Sequence, residues 1–194
     1  AFDYLQKDGE GDPDERTWLR DETGGSVYLR LTTNPIEQPG KRVDEDFRQG
    51  AIDGAYWLRK PGPNCEVVIA YQGSVAPEAI KAAGMIAEGR RDVGVLAVTS
   101  ADRLNAGWTA ESHIETLLGA LPRECKLVTV IDGHPATLSW LGAVEGHQTV
   151  PLGVEHFGQT ATIADLYKHY GIDANSIVEK VAGLTVGRRN FRLI

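Results

Sequence analysis

Glu66-Val-Val-Ile-Ala-Tyr71 and Val93-Gly-Val-Leu-Ala-Val98 are the two apolar runs that decide the fold of this chain. Each run has the length of a strand, and neither alternates with polar residues, which is typical of a strand buried on both faces. Between the runs, Pro77 suits a first helical turn and Gly89 suits a helix end. We therefore predict strand, helix and strand in this order, with the helix running from about Pro77 to Glu88.

The same alternation of strand and helix continues on both sides of this unit. Further strands are predicted at Gly54-Ala-Tyr-Trp-Leu58 and Leu127-Val-Thr-Val-Ile131, and a helical region is predicted from about Ser112 to Leu121. Nearly continuous apolar strands separated by helices indicate a sheet covered on both faces. We predict an α/β fold whose sheet is mostly parallel.

Two short helices are predicted near the C-terminus. Thr162 and Asp165 form a capping-box pattern for the first, which Gly171 should end. Asp173 suits the N-cap of the second, which Gly183 should end. The apolar stripes expected to face the core are Ile163, Leu166, Tyr167 and Tyr170 on the first helix, and Ile177, Val178 and Val181 on the second.

The N-terminal part of the chain has a different composition. Residues 1 to 25 are rich in Asp, Glu and Gly and predict a loop, and Ser26 to Thr32 alternates like a half-buried strand. From Pro35 to Gly54, prolines, glycines and a mixed charge run are typical of a linker. We place the main boundary near residue 45, which divides the chain into residues 1–45 and 46–194.

Composition and charge exclude several classes of protein. Hydrophobic residues make up 42% of the chain and charged residues 24%, as in ordinary globular proteins. The net charge of -7 disfavours nucleic acid and anionic lipid, although a small basic cluster lies at Arg188 to Arg192. No apolar run is long enough to span a membrane. Because the chain begins at Ala1 and its only Met is Met85, we expect a soluble, cytoplasmic piece of a larger protein.

Cys65 and Cys125 lie far apart in the sequence and each precedes a predicted strand. They have no C-x-x-C spacing, which argues against a zinc site or a disulfide framework. We expect two reduced thiols that act as small packing residues.

Polar residues follow two of the predicted strands. Ser74 lies where a nucleophile or ligand loop would lie in an open α/β sheet, but G-x-S-x-G is absent, so the sequence favours a helix cap. Asp132 begins a turn, and His134 is expected to hydrogen-bond the loop. A freestanding binding module or small hydrolase that uses Ser74, Asp132 and His134 remains an alternative.

The segment Pro151-Leu-Gly-Val-Glu-His-Phe-Gly-Gln-Thr160 contains the pattern G-x-x-x-F-G-x-T. It resembles a motif in the C-terminal domain of transketolase-like, thiamine diphosphate-dependent enzymes. Residues 33–39, 48–62 and 98–104 also resemble parts of that family, so the likeness covers nearly the whole chain. With Tyr170 to Ser176, the chain looks most similar to the homodimeric pyruvate dehydrogenase decarboxylating component.

This resemblance implies a three-layer α/β sandwich with a five-stranded sheet in which one strand is antiparallel. It also implies that residues 1–45 are the tail of a preceding pyrimidine-binding domain. Thiamine diphosphate and magnesium would be held by other domains, since this chain lacks the family's G-D-G signature followed by Asn. We therefore assign no catalytic, cofactor-binding or metal-binding residue to this chain.

The implied parent enzyme decarboxylates a 2-oxo acid, most simply pyruvate, and acylates a lipoyl group. Its C-terminal domain would contact the preceding domains, buttress a homodimer and offer a docking surface to a lipoyl acyltransferase core. The residues expected at such an interface are Gly153, His156, Phe157, Gly158, Gln159 and Thr160. The corresponding domain of a transketolase, or a domain used only for dimerisation and docking, are the alternatives within the family.

Overall fold

A computed structural model describes residues 29, 31–32, 35–37, 40, 42–89, 92–109, 111–156 and 158–186 of the 194-residue chain. The chain separates into two compact units, residues 1–33 and 34–194. In the first unit only residues 29, 31 and 32 are described, and none of them belongs to a helix or strand. The strand expected from Ser26 to Thr32 is therefore wrong at these three residues, and its other residues lie outside the described part.

The second unit alternates strands with helices over almost its whole length. Its strands are β1 (Ala55–Arg59), β2 (Val67–Gln72), β3 (Val93–Val98), β4 (Lys126–Ile131) and β5 (Thr149–Leu152). Its helices are α1 (Glu45–Asp53), α2 (Ala76–Glu88), α3 (Ala101–Ala106), α4 (His113–Gly119), α5 (Ala136–Ser139), α6 (Leu141–Glu145), α7 (Ile163–His169) and α8 (Ala174–Val186). A 3-10 turn, Gly73–Val75, joins β2 to α2.

The strands form one five-stranded sheet in the order β1-β3-β2-β4-β5. β2 lies at the centre and pairs in parallel with β3 and with β4, and β4 pairs in parallel with β5. β1 is antiparallel to β3. The expected α/β class, with a mostly parallel sheet and one antiparallel strand, is confirmed.

Alternate residues of the central strand supply two separate cores. Val67, Ile69 and Tyr71 point to one face and pack with α2 and α8. Val68 and Ala70 point to the other face and pack with α3 to α6. Because both faces of β2 are covered, all its residues except Gln72 are buried. The result is a sandwich of three layers: helices, sheet and helices.

Strand β5 was not expected from the residues, because Pro151 lies in the middle of it. Proline lacks the amide hydrogen that a central strand needs, so a proline in the sequence argues against predicting a strand there. β5 is an edge strand that pairs only with β4 among the described strands. An edge position tolerates proline, since the outward side of the strand needs no donor.

Helix α1 corrects the linker expected between Pro35 and Gly54. The Asp44 side chain accepts a hydrogen bond from the Phe47 amide at 2.9 Å, which caps the first turn. The helix ends at Gly54, whose φ of 107° lies in the left-handed region that favours glycine. The acidic end of the charge run therefore begins a helix, because acidic residues are favourable at a helix N-terminus.

The two C-terminal helices form where the sequence predicts them, but two details differ. Thr162 caps α7 and accepts from the Asp165 amide, as expected. Ile163 is 46% exposed, however, so it does not join the apolar stripe on the core. α8 continues through Gly183 to Val186, so Gly183 does not end it. The amide of Ala174 at the start of α8 donates to the Glu78 carboxylate of α2 at 2.8 Å, which ties these helices together.

Two helical glycines predict opposite responses to the same substitution. Gly84 is exposed in α2, and a Cβ added there meets nothing within 4 Å. Gly84→Ala should raise the free energy of unfolding by about 0.5–1 kcal/mol, because alanine lowers the entropy of the unfolded chain. Urea unfolding monitored by circular dichroism measures this change.

Gly142→Ala in α6 is the matched control. A Cβ at Gly142 would lie 2.8 Å from the His147 carbonyl oxygen and even closer to the Thr149 hydroxyl. The same methyl group should therefore destabilise the protein by at least about 1 kcal/mol. Equal effects at both positions would contradict the close approach of Gly142 to His147 and Thr149.

Candidate functional site at the carboxyl end of the sheet

The strand order creates a switch point between β2 and β4. The chain leaves β2 towards β3 on one side of the sheet and leaves β4 towards β5 on the other. In open α/β sheets the loops diverge at such a point, and ligands bind in the crevice at the carboxyl ends of the strands. The segments that follow β2, β4 and β5 are therefore the first place to look for a functional site.

A chain of hydrogen bonds crosses this switch point. Ser74, which follows β2, donates from Oγ to Asp132 Oδ2 at 2.9 Å, and Asp132 follows β4. The Tyr167 hydroxyl of α7 donates to Ser74 Oγ at 3.1 Å. We call Tyr167, Ser74 and Asp132 the hydroxyl chain. It connects α7 to the carboxyl ends of β2 and β4.

These contacts change the interpretation of Ser74. Neither the 3-10 turn nor α2 has a side-chain cap, so the expected role of Ser74 as a helix cap is wrong. In a Ser-His-Asp triad, the arrangement that Ser74, His134 and Asp132 would form, the serine needs an imidazole within hydrogen-bond reach as its general base. The described hydrogen bonds of Ser74 reach a carboxylate and a phenol instead, so this geometry gives no support to the hydrolase alternative.

His134 lies away from the hydroxyl chain. Its Nδ1 accepts a hydrogen bond from the Ala136 amide at 3.2 Å, and the side chain is exposed. This bond stabilises the turn that leads into α5, as the sequence predicts for this histidine. Of the three loop candidates, the structure brings Ser74 and Asp132 together and gives His134 a separate local role.

Gly153 is required by a close approach of two backbones. The Val154 amide donates to the Gly133 carbonyl oxygen at 2.7 Å, which joins the loop after β5 to the loop after β4. A Cβ at Gly153 would lie 2.5 Å from that oxygen and 2.9 Å from Pro135 Cδ. Only glycine fits this position without moving the loop, so the first residue of the motif has a packing reason.

The rest of the motif lies at the surface. His156, Gly158, Gln159 and Thr160 are exposed, and no helix or strand includes them. Phe157 lies outside the described residues. Packing within the described residues therefore accounts for Gly153 but does not account for the residues that follow it.

Next to these residues is a shallow cleft of about 340 Å³, which we call the motif cleft. Tyr170 and His169 both line it, and their rings meet edge to face at a centroid distance of 4.9 Å. A neighbouring cleft of about 390 Å³ shares Gln159 and His169 with it. The motif cleft is lined by Gly153, Glu155, His156, Gln159, His169 and Tyr170.

The motif cleft does not fit thiamine diphosphate and magnesium. Its lining contains the carboxylate of Glu155 and neither lysine nor arginine, so it offers no fixed positive charge to a diphosphate. Within the part of the chain that the structure describes, no group of three or more His, Cys, Asp or Glu side chains could hold a metal ion. The arrangement instead offers hydrogen-bonding groups on an open surface.

Several members of this region were missed from the sequence. Tyr167 and Tyr170 pack against the core as the apolar stripe of α7 predicts. The sequence does not show that Tyr167 also completes the hydroxyl chain or that Tyr170 also lines the motif cleft. His169 and Glu155 were not singled out for a site. No local signal marks these residues, because only the packing of α7 beside the loop after β5 brings them together.

The described residues form an α/β domain with a hydrogen-bonded switch point and an open cleft at the carboxyl end of its sheet. Residues 54–173 match the family model described as the transketolase-like TK C-terminal domain. This match covers more than half of the chain. The chain belongs to the transketolase-like C-terminal domain family.

Two transketolases are similar to this chain over most of its length. The transketolase of Physarum polycephalum is 29% identical over 156 residues, which are 80% of this chain and 22% of that protein. The transketolase structure from Leishmania mexicana superposes with a TM-score of 0.57 at 22% identity, over 75% of this chain and 20% of that chain. This chain thus spans about a fifth of either relative.

A third relative is a shorter chain. The structure titled split gene transketolase, inactive beta4 tetramer, superposes with a TM-score of 0.52 at 18% identity. The match covers 84% of this chain and 48% of that chain. At this identity the likeness shows the fold alone.

The close approach at Gly153 predicts a position-specific effect of a methyl group. Gly153→Ala should lower the free energy of unfolding by about 1–3 kcal/mol, because the added Cβ forces apart the two loops and weakens the bond from Val154 to Gly133. Gly158→Ala is the matched control, since a Cβ there meets nothing within 4 Å. Thermal unfolding compares the two variants, and a similar loss in both would contradict the assignment.

The hydroxyl chain predicts an energetic coupling between two distant residues. Ser74→Ala and Tyr167→Phe should each destabilise the protein, and the double variant should lose less than the sum of the single losses. We expect a coupling free energy of about 0.5–1.5 kcal/mol, the range for one hydrogen bond. Urea unfolding of the full cycle measures it, and strict additivity would show that the bond does not form in solution.

Proposed function

We propose that this chain is the C-terminal domain of a longer thiamine diphosphate-dependent enzyme and that it stabilises the parent through contacts with other domains and subunits. The observation that supports this proposal best is the surface exposure of the family motif. His156, Gln159 and Thr160 lie at the carboxyl end of the sheet without a packing role in the described residues. Side chains kept at the surface in this way suit an interface with another part of the assembly.

The shape and chemistry of the motif cleft support an interface rather than a reaction centre. It is open and shallow, and its hydrogen-bonding groups come from the loop after β5 and from α7. Both segments are held on the sheet, the loop by the Val154 amide and the helix by the Tyr167 hydroxyl. A surface fixed at two points keeps its form when a partner binds, which lowers the entropic cost of association.

In this proposal residues 1–45 are the tail of the preceding pyrimidine-binding domain and residues 46–194 form the C-terminal domain. The preceding domains of the parent and a homodimer partner supply the cofactor site. Thiamine diphosphate and magnesium bind there, and the cofactor provides the electron sink that decarboxylation needs. The domain described here contributes position and stability to the assembly.

We further propose that the parent is a pyruvate dehydrogenase decarboxylating component of the homodimeric type. The likeness of Tyr170 to Ser176 to that family supports this substrate class. The parent would then decarboxylate pyruvate and transfer the acetyl group to a lipoyl group of an acyltransferase core. The whole 194-residue chain has a net charge of -7, which suits docking to a basic partner surface.

No helix among the described residues has the length and apolarity that crossing a membrane requires. Cys65 and Cys125 are both free and buried. Thiols of this kind persist in reducing compartments, which supports a cytoplasmic location for the proposed enzyme. The net charge supports a function without nucleic acid.

Transketolase is the second candidate for the parent, because the curated relative at 29% identity is a transketolase. The two candidates differ in substrate class and can be separated with the parent enzyme. A 2-oxo acid dehydrogenase releases carbon dioxide from pyruvate and reduces an artificial electron acceptor. A transketolase moves a two-carbon unit between sugar phosphates and leaves pyruvate unchanged.

The interface proposal predicts that changes at the motif weaken the assembly of the parent enzyme. His156→Ala combined with Gln159→Ala should raise the dissociation constant of the parent dimer by about tenfold or more, since each lost hydrogen bond costs about 1 kcal/mol. Sedimentation velocity over a dilution series measures the dissociation constant. Specific activity should fall at the concentrations where the dimer dissociates.

Arg103→Ala is the control, because Arg103 is exposed on α3 across the sheet from α7. It should leave both association and activity unchanged. Dissociation and activity unaffected by the motif variant would contradict the interface. A separate titration of the 194-residue chain with thiamine diphosphate and Mg²⁺ should release no measurable heat, and clear binding would mean that a cofactor site lies within this chain.

A further inference from the structure

The amino-terminal end of the sheet, opposite the candidate site, brings the chain's cysteines into contact. Cys65 lies two residues before the start of β2, and Cys125 immediately precedes β4. Because β2 and β4 are neighbours with Val67 opposite Lys126, the two strand entrances lie side by side. Cys125 Sγ donates to Cys65 Sγ at 3.8 Å across a sequence separation of 60 residues.

This contact was not apparent from the sequence, which predicts two separate packing thiols. Both cysteines are free and buried, with relative exposures of 3% for Cys65 and 1% for Cys125. Packing alone needs no sulfur at either position, since alanine or valine would fill a similar volume. Two thiols in van der Waals contact are an arrangement with its own chemistry.

We propose that Cys65 and Cys125 are a redox modification site at which a small hydroperoxide forms a reversible disulfide between the amino-terminal ends of β2 and β4. The site is distinct from the motif cleft and lies at the other end of the strands. Neither the family assignment nor the proposed function assigns a role to these cysteines.

The chemistry needs one two-electron oxidant and balances with hydrogen peroxide. The Cys65 sulfur attacks one peroxide oxygen, the O–O bond breaks, and Cys65 sulfenic acid and water form. The Cys125 sulfur then attacks the Cys65 sulfur, an S–S bond forms, and the sulfenic oxygen leaves as a second water. Overall, two thiols and one peroxide give one disulfide and two waters.

The hydrogen bond between the thiols determines their order of reaction. The bond from Cys125 lowers the pKa of Cys65, and the same bond raises the pKa of Cys125. The thiolate is the nucleophile of a cysteine. Cys65 is therefore the attacking sulfur, and Cys125 retains its proton until it resolves the sulfenic acid.

Formation of the disulfide requires the two sulfurs to move towards each other. A disulfide needs a sulfur separation of about 2.05 Å, so the thiols must approach each other from 3.8 Å. Cys65 lies in the segment between β1 and β2, outside any helix or strand. Its thiol donates to the Val67 carbonyl oxygen at 3.2 Å, and formation of the disulfide gives up this bond. Cys125 is held in place, because its carbonyl oxygen accepts from His147 Nδ1 at 3.0 Å and the next residue pairs with Glu66.

A metal site is the competing explanation for paired cysteines, and the structure does not support it. Within the described residues, no group of three or more His, Cys, Asp or Glu side chains could hold a metal ion. The pair therefore lacks the further ligands that zinc requires.

The test treats the reduced 194-residue chain with hydrogen peroxide, then quenches, denatures and alkylates it before mass spectrometry. Both thiols should escape alkylation, the chain should lose the mass of two hydrogen atoms, and one peptide pair should join Cys65 to Cys125. Dithiothreitol should restore both thiols. The oxidised chain should remain of single-chain mass and should unfold at a higher temperature than the reduced chain, because the disulfide closes a long loop.

Two variants separate the roles of the cysteines. Cys125→Ser should stop at the sulfenic acid of Cys65, which dimedone traps. Cys65→Ser should leave Cys125 reduced under the same treatment. The assigned order of reaction is wrong if dimedone traps a sulfenic acid at equal rates in the two variants. It is also wrong if dimedone traps a sulfenic acid only at Cys125, in the Cys65→Ser variant.

Met85, the only methionine, measures exposure to the oxidant within the same chain because its side chain is 38% exposed. Thiolates react with peroxide faster than a thioether does, so the disulfide should form before Met85 becomes a sulfoxide. If Met85 is oxidised while both thiols remain alkylatable, the proposal is wrong. Disulfides between two chains, or sulfinic acid at either cysteine, would also overturn it.

Discussion

The burial of β2 on both faces is the constraint on which the rest of the structure depends. A strand whose alternate residues both enter a core needs a helical layer on each side and a hydrogen-bonded neighbour along each edge. α2 and α8 supply one layer and α3 to α6 the other. Each fully buried valine or isoleucine of β2 contributes about 1.5–3 kcal/mol, so this strand anchors both cores.

Because β2, β3, β4 and β5 pair in parallel, their carboxyl ends lie at one end of the sheet and their amino ends at the other. The two ends carry different chemical groups. The carboxyl ends gather Ser74, Asp132 and the motif loop, where polar groups hold α7 and line an open cleft. The amino ends gather the two cysteines, which are buried against each other. One topology thus produces an exposed hydrogen-bonding surface at one end and a closed thiol pair at the other.

The hydroxyl chain contains a serine and an aspartate, two residue types of a hydrolase triad, but here they have a structural role. A serine, an aspartate and a nearby histidine suggest a hydrolase when they are read along the chain. In the folded protein Ser74 donates a hydrogen bond directly to Asp132. His134 accepts a hydrogen bond from the backbone amide of Ala136, two residues further along the chain. Without an imidazole between the hydroxyl and the carboxylate, these groups fix a helix to a sheet.

The sequence by itself determined the strands β1 to β4, helices α2 and α4, and the capped start of α7, because each has a local signal in apolar runs, proline, glycine or a capping box. The motif at Gly153 likewise pointed to the family. Helices α3, α5 and α6 are too short to show a clear period, and Pro151 concealed the edge strand β5.

Only the tertiary structure decided which residues meet. The hydroxyl chain joins residues 93 positions apart, and the cysteine pair joins residues 60 positions apart. Both contacts follow from the neighbouring positions of β2 and β4 and from the packing of α7. Local sequence patterns predict the conformation of a few neighbouring residues. Contacts across a sheet depend on the order of the strands, which no local pattern specifies.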